Sequence, residues 1–101
     1  MRRLLTFFAA AALMLPVALA HEYQGPECAQ VRAEAPYQAY GYTHIVAIDN
    51  HCEAPVRCRV ATNVDPEWKA VRVPAGETGQ VVTRRGSPAS EFEARARCTE
   101  E

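Results

Sequence analysis

The chain has 101 residues, of which 49% are hydrophobic and 23% charged, and its 11 Lys+Arg stand against 12 Asp+Glu for a formal charge of −1. That size and composition describe one small globular domain, too short for two cores and too apolar for a disordered tail. The lack of a positive surplus argues against an electrostatic nucleic-acid binder.

Residues 1–20, MRRLLTFFAAAALMLPVALA, begin with Arg2 and Arg3, run apolar from Leu4 to Val17 and end in Ala18-Leu19-Ala20. This is the pattern of a secretory signal peptide with an A-x-A cleavage site. The apolar run is short for a membrane anchor and is interrupted by Pro16. The expectation is a secreted or periplasmic protein beginning at His21, with no membrane span after cleavage. Removing Arg2 and Arg3 from the 11 basic residues leaves nine against 12 acidic, a charge near −3.

Residues 21–42 carry Gly25-Pro26 and Pro36 among polar residues without a clear period, and read as an irregular N-terminal arm. A short helix over Ala29–Glu34 is the one regular alternative, closed by Pro36. From Thr43 the texture changes to runs of β-branched and aromatic residues bounded by Asn, Asp, Pro and Gly. Strands are expected at His44–Ile48, at Val56–Val60 with Val56, Cys58 and Val60 inward, at Trp68–Val73 and at Gln80–Arg84. In a last strand Phe92, Ala94, Ala96 and Cys98 share one face, and Glu91, Glu93, Arg95 and Arg97 the other. Turn chemistry at Asn63–Pro66, Pro74–Glu77 and Gly86–Pro88 separates them. The fold expected for residues 43–101 is an all-β, small antiparallel β-sandwich of five to seven short strands.

All four cysteines follow the signal segment, so in an oxidising compartment they read as two disulfides. Cys58 and Cys98 both face inward, which favours a sheet-to-sheet bond between them and leaves Cys28 to tie the arm to Cys52. Three connectivities remain open, with a local Cys52–Cys58 bond the chief rival. Zinc is disfavoured because no close C-x2-4-C pair occurs.

Candidate chemistry is sparse. If cleavage follows Ala20, His21 presents an α-amine and an imidazole that, with His44 or His51, would suit copper. This resembles the histidine brace of secreted copper proteins, and it is the alternative to a protein with no cofactor. No Ser-His-Asp set or nucleophile elbow occurs, Ser87 and Ser90 included, and Glu91 and Glu93 share a face with arginines, so no catalytic activity is expected. Eight of the nine basic residues from His21 onward are Arg. Arg57, Arg59, Arg95 and Arg97 form the candidate binding surface, and Arg72, Arg84 and Arg85 lie in the same domain. Guanidinium forks suit carboxylates, sulfates and phosphates, unless Glu53, Glu67, Glu77, Glu91 and Glu93 neutralise them across strands. Tyr23, Tyr37, Tyr40 and Tyr42 could form a sticky strip or pack the arm onto the sheet.

The strand run His44–Cys98, with V-R-V-P-A-G-E-T (Val71–Thr78) between two strands and an inward Cys in the last, resembles small secreted bacterial immunoglobulin-like β-sandwich proteins, a group without an assigned function. The resemblance implies the fold and export, and carries over no catalytic residue. Two departures are the lack of a Trp beside the first inward Cys and a strand total below seven. Sequence alone thus points to an exported, disulfide-stabilised binding or structural module, whose partner is an unidentified protein or an anionic cell-envelope ligand.

Overall fold

A computed structural model describes residues 21–101, and the expected signal peptide, residues 1–20, lies outside the described residues. The described chain is all strand and turn: β1 (His21–Gln24), β2 (Ala29–Glu34), β3 (Tyr37–Gln38), β4 (Gly41–Asn50), β5 (Val56–Thr62), β6 (Lys69–Val73), β7 (Thr78–Ser87) and β8 (Ala94–Glu100). The five strands expected from alternation are all present, several of them longer than expected. The expected irregular arm is instead three strands. In β2, Ala29, Val31 and Ala33 point to the core while Gln30, Arg32 and Glu34 point out. Ala, Gln and Glu are weak strand formers, so local preference hides this element, and antiparallel pairing with β4 decides it.

One sheet has the order β1-β8-β5-β6, with β1 parallel to β8 and the other pairs antiparallel. The second is centred on β4, which pairs with β2 over Ile45–Asn50, with β3 at Gly41 and Tyr42, and with β7 from Tyr42 to Asp49. The inner faces share one core that includes Ala29, Val46, Ile48, Val56, Val60, Val73, Phe92, Ala94 and Ala96. Ile48 and Phe92 are the largest of these side chains and the rest are Val or Ala, so a core of this size leaves a domain of about 80 residues with limited stability and covalent ties matter here.

Both disulfides form, Cys28–Cys52 and Cys58–Cys98. The second corrects one expectation. Cys58 and Cys98 are direct cross-strand partners on adjacent β5 and β8, with Cα atoms 4.0 Å apart, so the bond lies within one sheet. An inward-facing Cys has neighbours beside it as well as across the core, and alternation alone does not distinguish them. Cys28–Cys52 ties the start of β2 to the loop after β4, as expected.

Asn50 organises that same end. Its side-chain amide donates toward the carbonyls of Ala54 and Val73 at 3.0 Å, and its Oδ1 accepts from Cys52 N–H at 2.8 Å. It is 1% exposed and fully satisfied, so it joins β4, the loop before β5 and the end of β6. The following turn closes with Glu77 N–H on Pro74 O, and Gly76 there takes a φ of 76°, a conformation that costs other residues energy.

Candidate functional site

Alternation on β5, β6 and β8 sends small apolar residues to the core and arginines outward. Arg57 and Arg59 come from β5, Arg72 from β6, and Arg95 and Arg97 from β8. Register makes them neighbours: Arg59 stands opposite Arg97, and Arg57 opposite Arg72. Like charges directly opposite each other destabilise a sheet unless other groups offset them.

Two devices offset the repulsion. At one end the indole of Trp68, the residue before β6, gathers three guanidinium carbons, those of Arg97 at 4.9 Å, Arg95 at 5.1 Å and Arg59 at 5.6 Å from the ring. Each such contact contributes about 0.5–1 kcal/mol at an exposed site. At the other end Glu101 holds Arg57 at 2.8 Å and takes a two-pronged contact from Arg72 at 2.9 and 3.1 Å. The Arg72 hydrogen bonds, with the neighbouring positive charges, keep the Glu101 carboxyl below its usual range. Between these ends lies a depression of about 490 Å³ lined by Arg57, Arg59, Ala70, Arg72 and Thr99.

The charge balance differs along the face. Among the described residues Arg59, Arg95 and Arg97 have no carboxylate within ion-pair distance. None of Glu53, Glu67, Glu77, Glu91 and Glu93 forms an ion pair there either. Three uncompensated guanidiniums around one indole favour an incoming anion both by charge and by planar donor geometry.

The histidines are dispersed. His44 is fully buried on β4, stacked on Phe92 at 4.3 Å, with Nε2 2.8 Å from Ala89 O. A carbonyl only accepts, so Nε2 carries the proton, and the buried Nδ1 is left without a partner. His51 is exposed in the loop after β4, where its N–H donates to Cys28 O. His21 aligns with Ala94 at the start of β8, whereas the Cys28–Cys52 bond lies beside Glu100 at its end. Six strand residues separate these levels, about 20 Å. Cys28, Cys52 and Glu100 cluster closely, but both sulfurs are already in a disulfide.

The tyrosines also separate. Tyr23 lies against the core and donates to Pro26 O at 2.6 Å. Tyr37 and Tyr42 meet edge to face at 5.1 Å across the β3–β4 hairpin, whose two-residue tip, Ala39 and Tyr40, has φ of 50° and 72°. That turn normally selects Asn-Gly, and here it leaves Tyr40 96% exposed. The hairpin base is held close, since a Cβ on Gly41 would fall 2.5 Å from Gly86 Cα.

Among the described residues no helix is long and apolar enough to cross a membrane. No family model, no curated protein and no solved structure matches the chain. The site therefore stands on its own geometry. Alternation found Arg57, Arg59, Arg95 and Arg97, but not the roles of Trp68 and Glu101. The parity of Trp68 with Arg72 was a readable sign that it faces outward, whereas the arginines it meets depend on register.

Proposed function

We propose that this protein is an exported, disulfide-stabilised binding module without catalytic activity, whose contact surface for an anionic ligand is the arginine face of the β1-β8-β5-β6 sheet. The single observation that carries the reading is the convergence of Arg59, Arg95 and Arg97 on Trp68, with no carboxylate within ion-pair distance of them among the described residues. The domain is acidic overall, so the attraction is local and belongs to this face. Two disulfides suit an oxidising compartment, and together with the leader-like residues 1–20 they support secretion or a periplasmic location.

An immunoglobulin-like sandwich is the finer reading of the fold. Its support is strand order: β2-β4-β7 and β6-β5-β8 follow the order A-B-E and C′-C-F of such domains, with β1 beside β8 where a final strand would lie. A copper site on His21 draws less support, since it would need His44, whose Nδ1 is closed to solvent, or His51, near the far end of β8.

Trp68 is the only tryptophan of the chain and reports directly on the site. Titration with dextran sulfate at low salt should change Trp68 emission, and the triple substitution Arg59→Gln, Arg95→Gln, Arg97→Gln should weaken binding at least tenfold. Unchanged emission, or equal binding by the triple variant, would overturn the proposal.

A further inference from the structure

Arg57 and Arg72 face each other across the β5–β6 pair, and the Glu101 carboxylate lies between them. Glu101 is itself pinned, its N–H donating to Pro55 O at 2.9 Å. The chain therefore displays how this face holds a glutamate that follows directly on an extended strand. The depression lined by Arg57 and Arg72 extends to Arg59, and Arg59 faces Arg97. At this second arginine pair no carboxylate stands within ion-pair distance among the described residues. Arg57 and Arg59 are two residues apart on one strand, roughly 7 Å. The same distance separates side chains at alternate positions of an extended peptide, which also point to one side.

We infer that the arginine face takes an extended acidic peptide segment with carboxylates on alternate residues, one entering between Arg57 and Arg72 in place of Glu101 and the next reaching the Arg59–Arg97 pair beside Trp68. This rests on the reading of that face as an anion-binding surface. Glu101 is then a competitor built into the chain, and it sets the threshold a ligand must exceed. A peptide with adjacent glutamates presents them to opposite sides, so only one reaches the face.

The test uses the chain beginning at His21, with Trp68 emission as the readout at about 20 mM salt, where surface charges are weakly screened. The probes are acetylated, amidated Ser-Glu-Ser-Glu-Ser, its adjacent-glutamate isomer Ser-Ser-Glu-Glu-Ser, and the glutamine analogue Ser-Gln-Ser-Gln-Ser. The alternate peptide should bind severalfold more tightly than its isomer, and the glutamine analogue not at all. Glu101→Gln should tighten the alternate peptide about three- to fivefold, the scale of one surface ion pair removed from competition. Adding Arg57→Gln and Arg72→Gln should erase that gain. Equal binding of the two isomers, or no gain from Glu101→Gln, overturns this inference while leaving the anion-binding surface intact if dextran sulfate still binds. Failure of dextran sulfate and peptide alike overturns both.

Discussion

Arg32 and Arg97 are both outward-facing arginines in the middle of strands, yet their surroundings differ completely. Arg32 on β2 is held by Asp49 at 2.6 and 3.1 Å and by Glu34, and Asp49 also accepts the Thr78 hydroxyl at 2.7 Å. Arg97 on β8 meets Arg59 opposite and the ring of Trp68, with no carboxylate within ion-pair distance among the described residues. The first guanidinium is spent inside the molecule, where it clamps β2 to β4. The second retains its donors. The difference between the two arginines lies in the partner each meets and not in the residue type.

Cys58–Cys98 joins the two strands that carry Arg57, Arg59, Arg95 and Arg97. Replacing both cysteines by alanine should cost about 2–4 kcal/mol and also weaken dextran sulfate binding. Replacing Cys28 and Cys52 should cost a similar amount and leave binding by the surviving folded protein unchanged, as read by denaturant melts and titration. Equal effects of the two pairs on binding would show that the arginine face does not depend on its own crosslink.

Next comes the buried amide. Asn50→Ala should destabilise by about 2–3 kcal/mol, because Cys52 N–H and buried carbonyls lose their partner, and should do so without a specific effect on the arginine face.

Acid should act on the Arg32 region through Asp49. Hydrogen bonds from Arg32 first, then Thr78, lower the Asp49 carboxyl from 3.8 to about 2 in the folded protein. A value lowered on folding gives stability that is present above the unfolded value and lost as pH falls through the folded one. Melts between about pH 5 and pH 2 should lose on the order of 1 kcal/mol from this group, a figure reduced because Arg32 is half exposed. Asp49→Asn should show that loss already at neutral pH and flatten the acid limb.

Arg59→Thr should leave stability within about 0.5 kcal/mol, because relief of repulsion from Arg97 offsets the lost contact with Trp68. Arg32→Thr should cost about 1 kcal/mol, and thermal melts of the two variants side by side give the comparison directly.

The legible parts of this molecule were those with a local cause. Val56–Val60 and Ala94–Cys98 alternate strictly, so their burial and the outward direction of four arginines followed from period two alone. The turns at Asn63–Pro66 and Pro74–Glu77 carry their own chemistry: Thr62 Oγ1 accepts the N–H groups of Val64 and Asp65, and Gly76 takes the left-handed conformation. β2 was not legible, because Ala29-Gln30-Val31-Arg32-Ala33-Glu34 is a strand only against β4. Asn50 lies two residues past the expected strand His44–Ile48, and nothing local shows that three segments end on its side chain.

An all-β domain, cysteines enough for two disulfides, a leader-like first segment and an arginine-rich outer face are legible in the amino-acid sequence. These are properties of composition and short-range period, which survive any arrangement of the strands. Tertiary structure alone decided that Cys58 and Cys98 are neighbours in one sheet, that Arg32 is neutralised while Arg97 is not, and that Trp68 and Glu101 stand at the two ends of one charged face. Each of these depends on which strands pair and in what register, and register is set by the packing of the whole core and not by any single stretch of chain.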